Sequence, residues 1–161
     1  MNRAVGCLAI ALLLAPIAAQ ARVTRIEILR TEPLAGGEAF GTVGAYEKVV
    51  GRFHGELDPA LPLDAVIVDL DKAPRNAHGR VEYSSDFYIL RPADLAKGNG
   101  ALLYDVNNRG NKRALVQFNS APIGNDPTTV EQAGNGFLMR NGFVPKLRLI
   151  GLLSRTEAIK L

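Results

Sequence analysis

Serine and histidine side chains are the residues of this chain that could carry out hydrolysis. They are Ser84, Ser85, Ser120, Ser154, His54 and His78. A serine hydrolase raises its nucleophile on a strained strand-to-helix turn, usually Gly-x-Ser-x-Gly, and adds a histidine base and an acid. None of the four serines lies in such a motif. One histidine lies on the polar side of a predicted strand, and the other lies in a turn-like Asn-Ala-His-Gly. We therefore predict that no complete catalytic triad is present.

Metal ions and organic cofactors have no recognisable site in the sequence. Asp69 and Asp71 share a strand face near His78, but a calcium loop needs more oxygen ligands and a glycine at a fixed offset. The only cysteine, Cys7, lies in the N-terminal segment, which excludes cysteine nucleophiles, disulfides and cysteine–zinc sites from the rest of the chain. There is no Gly-x-Gly-x-x-Gly and no phosphate-binding loop. The sequence therefore predicts neither a metal nor a cofactor.

One loop has a composition that suits the stabilisation of negative charge. In residues 100–106 the odd-numbered and the even-numbered positions are both mostly apolar, which predicts a strand covered on both faces. The loop 107–111 follows directly. Backbone N–H groups at the carboxyl end of such a strand can bind a developing oxyanion. Glycine permits the close backbone approach that this requires. On its residues alone the loop, which contains Gly110, is interpreted as a plain strand-to-helix connection, and an oxyanion site is the other possibility.

The N-terminal 21 residues have the pattern of a secretory signal peptide. A positive charge at Arg3 precedes an uncharged stretch, of which residues 8–14 are continuously apolar. Small residues at its end predict cleavage between Ala21 and Arg22. The apolar run is shorter than the roughly 20 residues that span a bilayer, and Cys7 precedes most of the run, which is the wrong order for a lipoprotein. We predict a periplasmic or secreted protein without a stable membrane span.

The charge distribution argues against nucleic acid as a partner. The sequence pI is about 9.2, but residues 22–144 contain 14 basic and 15 acidic residues. Residues 145–161 contain four basic residues and one acidic residue. Because the basic excess lies at the ends of the chain, the body lacks the basic patch of a nucleic-acid-binding domain.

The elements that must position the loop follow from hydrophobic periodicity. Alternating and apolar runs predict strands, and a motif of the capping-box type predicts a helix that ends at a glycine. The predicted elements are strands over residues 23–29, 46–57, 65–70, 80–91 and 100–106, a helical or extended segment over 112–119, a helix from Thr128-x-x-Glu131 to Gly142, and a strand that begins at Phe143 and Val144. This order predicts an α/β fold in which N-terminal antiparallel strands lead into a mixed sheet with later parallel strands.

Four segments, residues 23–28, 46–55, 104–112 and 136–144, carry a family resemblance. In content and order they resemble the N-terminal part of a bacterial family of exported α/β-hydrolase-domain proteins. The resemblance implies an α/β-hydrolase-like sheet and, in the full-length family, a small-molecule ester or acyl substrate. It assigns the oxyanion donor to the loop that contains Arg109 and Gly110. No other catalytic position of the family has a counterpart in this chain.

The resemblance ends at residue 144, where Pro145 is expected to interrupt the last strand. We interpret residues 22–144 as part of a hydrolase-like domain that stops before the strand carrying the nucleophile. Residues 145–161 are then a basic tail, either the aberrant product of a frameshift or truncation near codon 144 or an accessory segment. The chain is thus predicted to be an exported N-terminal fragment of an esterase-type protein, inactive alone. The alternatives are a small, self-contained, β-rich binding module and a hydrolase with an unrecognised catalytic constellation.

Overall fold

The computed structural model describes residues 22–106 and 108–148. The predicted signal peptide, its cleavage site after Ala21 and most of the predicted tail lie outside the described residues, although Arg22 begins the first strand. The strands are β1 (Arg22–Pro33), β2 (Ala39–Phe40), β3 (Gly44–Leu57), β4 (Val81–Pro92), β5 (Leu102–Asp105) and β6 (Val144–Arg148), and the helices are α1 (Ala114–Asn119), α2 (Val130–Ala133) and α3 (Phe137–Arg140).

The sheet has the spatial order β1-β3-β4-β6-β5, and β2 pairs with the start of β3. The pairs β1–β3, β3–β4 and β4–β6 are antiparallel, whereas β5 and β6 are parallel. The alternating runs predicted at 23–29, 46–57 and 80–91 all lie in these antiparallel strands. The predicted mixed sheet of an α/β fold is confirmed at this coarse level: a mostly antiparallel sheet is accompanied by a few short helices.

The core lies between the three helices and one face of the sheet. Strand residues Tyr46, Tyr88 and Leu90 pack there against Leu115 of α1 and Leu138 of α3. The hydroxyl of Tyr46 donates to the carbonyl oxygen of Phe143 at 2.9 Å, which ties β3 to the start of β6. The core is thereby joined to the start of β6, the strand that pairs with β5.

The opposite face of the sheet carries aromatic side chains that lie flat on glycines. Phe87 covers Gly51 and Tyr83 covers Gly55, since a Cβ built at either glycine would lie less than 3 Å from the ring. Phe53 packs between them, with ring centroids 6.2 Å from Tyr83 and 6.4 Å from Phe87. Toward both edges of the sheet this face exposes Val23, Ile26, Ile28, Leu102 and Tyr104.

The strand predicted over residues 65–70 is wrong. This segment is a series of turns, in which the N–H of Ile67 donates to the carbonyl oxygen of Asp64 at 2.9 Å and the N–H of Leu70 donates to that of Ile67 at 3.3 Å. Leu70 is buried, but Val66 and Val68 are exposed. The local hydrogen bonds of these turns take the place of a sheet partner, so apolar composition alone did not produce a strand.

The strand predicted over residues 100–106 is shorter and less covered than expected. Among the strands of the described residues, β5 is the last in the sheet and pairs with β6 alone. Leu103 packs against the core, whereas Leu102 and Tyr104 are exposed on the other face. Among the described residues, therefore, only one face of β5 is covered, although its sequence contains a continuous apolar run.

The single helix predicted from residue 128 to Gly142 is divided into α2 and α3. Gly134 and Gly136 have φ angles of 67° and 70°, which end the first helix and precede the second. The capping box lies one residue later than predicted: the side chain of Thr129 accepts from the N–H of Gln132 at 3.3 Å. Gly142 has the predicted left-handed conformation, with φ 72°.

Pro145 lies inside β6 and does not interrupt it. It pairs with Leu103 of β5, and pairing of β6 with β4 begins only at Lys146. The missing N–H of proline is tolerated because no β4 residue needs it at this position. β6 thus crosses the predicted boundary at residue 144, and the division of the chain into 22–144 and 145–161 stays a prediction.

Candidate functional site

The segment after β5 forms a tight turn that presents two backbone N–H groups. Asn108 and Asn111 exchange two backbone hydrogen bonds of 3.0 Å each, which makes a two-residue hairpin turn. The residues at its tip, Arg109 and Gly110, have φ angles of 52° and 82°, as a type I′ turn requires. The N–H groups of these two residues have no hydrogen-bond partner among the described residues. They are the donors that the sequence singled out.

Asn125 attaches this turn to the body of the protein. Its side-chain nitrogen donates to the carbonyl oxygen of Gly110 at 3.1 Å, and its side-chain oxygen accepts from the N–H of Lys112 at 2.9 Å. The Nζ of Lys112 donates in turn to the backbone carbonyl oxygen of Asn125 at 2.6 Å. These three hydrogen bonds fix the C-terminal side of the turn.

Asp105, the last residue of β5, connects the strand to α1. One carboxylate oxygen accepts from the N–H groups of Arg113 and Ala114, at 2.8 and 2.9 Å. These donors belong to the first turn of the helix and have no partner within it. One side chain therefore joins the strand to the start of the helix. The helical alternative predicted for residues 112–119 is confirmed from Ala114 onward.

Lys112 is a buried lysine beside the turn. The residue is 4% exposed, and its Nζ lies 3.8 Å from the centre of the Tyr88 ring. The pKa of Lys112 is lowered to about 8, chiefly by burial; the charge of Asp126 opposes this shift, and the charge of Lys48 adds to it. Burial also raises the pKa of the Tyr88 hydroxyl, with smaller contributions from Asp126 and Asp105.

Lys48 fixes the segment that carries Asn125. Its side chain is 1% exposed, and its Nζ lies 2.7 Å from Asp126 Oδ1 and 2.8 Å from Glu32 Oε1. It also donates to the carbonyl oxygen of Pro127 at 3.1 Å. The hydrogen bonds from Lys48 and Arg30 lower the pKa of Glu32. A buried ammonium group on β3 thus holds the 125–127 segment against the sheet.

The pKa of Lys112 predicts that stability rises with pH between about 8 and 10.5. In this range the unfolded chain binds a proton that the folded chain has released, so the free energy of unfolding increases with pH. The rise should reach at most about 3–4 kcal/mol, at about 1.4 kcal/mol per tenfold change in proton affinity. Urea unfolding at a series of pH values measures it.

Two variants and a measurement at higher pH test whether Lys112 causes this rise in stability. The Lys112→Met variant should lose it, whereas Lys72→Met should keep it, because Lys72 is exposed and paired with Asp69. Above about pH 10.5 stability should fall in all three proteins, since burial raises the pKa of Tyr46 to about 12 and its proton is lost first from the unfolded chain. A rise that persists in Lys112→Met would contradict the assignment.

The histidines and serines considered for catalysis do not form a triad among the described residues. His54 and Ser84 are directly opposite in the β3–β4 register, which the sequence did not reveal. However, the Nε2 of His54 lies 2.8 Å from the guanidinium of Arg25, which donates to it. His78 is in an exposed turn, Ser85 is buried, and Ser120 follows α1. Ser154 lies outside the described residues.

Neither the acidic pair nor the cavity between β1 and β3 adds a serine–histidine pair or a metal site among the described residues. Asp69 Oδ1 accepts from the Nζ of Lys72 at 2.6 Å, and no group of three potential metal ligands occurs in the described part of the chain. The cavity has a volume of about 240 Å³, is lined in part by Thr31, Glu47 and Ala93, and contains no serine or histidine. The turn after β5 is therefore the best candidate site.

Asn125 and Lys48 are the site residues that the sequence analysis missed. Asn125 follows an Ile-Gly pair in an irregular segment, and Lys48 occupies a position in β3 that looks like one of a polar, solvent-facing series. No local signal marks either residue, because their partners lie at least 13 residues away in the chain.

Comparison with protein-family models, curated proteins and solved structures gave no match to this chain. Within residues 22–106 and 108–148, none of the helices has the length and apolar character needed to cross a membrane.

Proposed function

We propose that this chain is the N-terminal portion of an exported α/β-hydrolase-like, esterase-type protein and contributes the oxyanion-binding turn. Alone it is proposed to lack hydrolase activity. The observation that carries the proposal is the turn after β5, whose two N–H groups, on Arg109 and Gly110, have no partner among the described residues. The family resemblance gives this same loop the role of stabilising negative charge.

The order of the strands supports this assignment. β3 and β4 precede β5 in the chain, and β5 is joined to them in the sheet through β6. In an α/β-hydrolase the oxyanion loop follows the third strand of the sheet. Counted from β3, the third strand is β5, and the candidate turn follows it.

The chemistry of the turn suits the substrate class. Hydrolysis of an ester passes through a tetrahedral intermediate whose oxygen becomes negatively charged, and fixed N–H donors stabilise that oxygen. The described residues supply such donors but no hydrogen-bonded serine and histidine. Without a nucleophile and a base, an oxyanion site gives only a small acceleration. The missing groups are proposed to follow later in the hydrolase-like protein.

Acetate, the carboxylate product of a simple ester, tests the turn directly. In ¹H–¹⁵N spectra of the purified protein, titration with sodium acetate should shift the Arg109 and Gly110 amide signals in a saturable manner. The N–H groups of Asn108 and Asn111 already have backbone partners, so their signals should shift less. Sodium chloride at equal ionic strength is the control.

The same sample should hydrolyse nitrophenyl acetate no faster than buffer does. Amide signals at Arg109 and Gly110 that do not respond to acetate would contradict the proposed role of the turn. Ester turnover that is lost in Ser84→Ala would instead favour the pairing of Ser84 with His54 as an unrecognised catalytic constellation.

A small, exported binding module is the second candidate. It is favoured by the apolar side chains that the sheet exposes on the face away from the helices, among them Ile26, Ile28 and Leu102. Monomeric proteins seldom expose a large continuous apolar surface that has no function. For this candidate the turn is a plain connection, so acetate should leave the signals of Arg109 and Gly110 unchanged.

A further inference from the structure

We infer that Asn125 is a positioning residue that orients the Arg109 and Gly110 N–H groups toward a carboxylate or an oxyanion. The inference rests on the proposed function of the turn and adds a residue that neither the sequence nor the family resemblance assigns. It is carried by three hydrogen bonds between Asn125 and the segment from Gly110 to Lys112.

The peptide group that follows Gly110 is held at both of its polar atoms. Its carbonyl oxygen accepts from the side chain of Asn125 at 3.1 Å, and its N–H, on Asn111, donates to the carbonyl oxygen of Asn108 at 3.0 Å. The preceding peptide group, which carries the N–H of Gly110, has no such bond among the described residues. Its orientation therefore depends on the neighbouring peptide that Asn125 holds.

Asn125 is itself fixed from two directions. The Nζ of Lys112 donates to its backbone carbonyl oxygen at 2.6 Å. The next two residues, Asp126 and Pro127, accept from the buried Nζ of Lys48 at 2.7 and 3.1 Å. Because Lys48 belongs to β3, these bonds fix the position of Asn125 relative to the central sheet as well as to the turn.

The position of Asn125 requires a short side chain that can donate and accept a hydrogen bond at the same time, as the amide of asparagine does. It donates to Gly110 and accepts from the N–H of Lys112 at the same time. Alanine would leave both backbone groups without a partner, and aspartate could accept but not donate. Both replacements should therefore change the orientation of the turn.

The experiment compares ¹H–¹⁵N spectra of the full chain and its Asn125→Ala variant. The variant should shift or broaden the Arg109 and Gly110 amide signals and weaken acetate binding roughly tenfold, an effect typical of losing a residue that orients a binding group. Asn125→Asp is the milder change and keeps the acceptor for Lys112. It should shift the same two signals even without acetate, which preserves the test if the alanine variant does not fold.

Asn99→Ala is the matched control. The side chain of Asn99 also bridges two backbone groups, accepting from Ala101 and donating to Asn141, at 2.8 and 2.7 Å. Its loss should leave the Arg109 and Gly110 signals and their response to acetate unchanged.

The possible outcomes separate this inference from the proposed function. If both Asn125 variants leave the two amide signals and acetate binding as they are in the unaltered chain, the positioning role is overturned. If the variants move the signals but the unaltered chain does not bind acetate, Asn125 fixes the turn and the proposed function is wrong. Selective loss of acetate binding in the Asn125 variants supports both.

Discussion

Replacement of Gly134 by alanine is expected to remove most of the stability of the fold. Gly134 ends α2 with φ 67° and ψ −145°, a backbone conformation that residues other than glycine rarely adopt. A Cβ at this position would lie 2.2 Å from the carbonyl oxygen of Asn119 and 2.9 Å from the backbone of Ala121. Because the opposing atoms are backbone, rotation of a side chain cannot relieve the clash. We expect a loss above about 4 kcal/mol, a large part of the stability of an ordinary domain.

Gly124→Ala is the matched control for this experiment. Gly124 is exposed in the segment between α1 and α2, its φ is not positive, and a Cβ there would meet nothing within 4 Å. Alanine should therefore leave stability unchanged or raise it by about 0.4–1 kcal/mol, through the lower entropy of the unfolded chain. Soluble yield and urea unfolding measure both variants. Equal unfolding midpoints for the two would show that the close approach at Gly134 is not real.

Asn119→Ala is expected to have the second largest effect. Asn119 is 0% exposed, and its side chain bridges the helices: it donates to the carbonyl oxygen of Ala133 at 2.9 Å and accepts from the N–H of Leu138 at 3.0 Å. Alanine would leave both groups without a partner in the interior, at a cost of about 1–3 kcal/mol each. We expect the free energy of unfolding to fall by about 2–4 kcal/mol.

The exposed Asn141 supplies the comparison for Asn119. Its side chain donates to the carbonyl oxygen of Phe137 at 2.8 Å, but water can replace this bond. Asn141→Ala should therefore cost less than about 1 kcal/mol. If Asn119→Ala and Asn141→Ala unfold at the same urea concentration, the bridge between the helices does not stabilise the fold as described.

Both of these predictions concern helices too short to be stable alone. α2 and α3 contain four residues each, so packing and side-chain bridges must hold them in place. Asn119 and the close contact at Gly134 join them to the end of α1. The same layer precedes β6, and through β6 it supports β5 and the turn that follows it.

The sequence by itself determined the antiparallel part of the sheet. Alternating side chains in β1, β3 and β4 follow from the two-residue period of a strand, which is a local property of the chain. The turn at Arg109 and Gly110 was also predictable as a loop, because asparagine and glycine favour positive φ. The expectation that this loop binds an oxyanion came from the family resemblance and stays a proposal.

Only the tertiary structure decided which polar residues surround the turn. Burial of Lys48 and Lys112, and the hydrogen bonds of Asn125, join segments that are distant in the chain. The structure also made residues 65–70 a series of turns and β5 the last strand of the described sheet, although both runs are apolar. The composition of a segment indicates which residues favour burial, but whether they are buried depends on which helices and strands pack against them. Long-range packing has no local period, and for that reason the sequence identified the turn but not the residues that hold it.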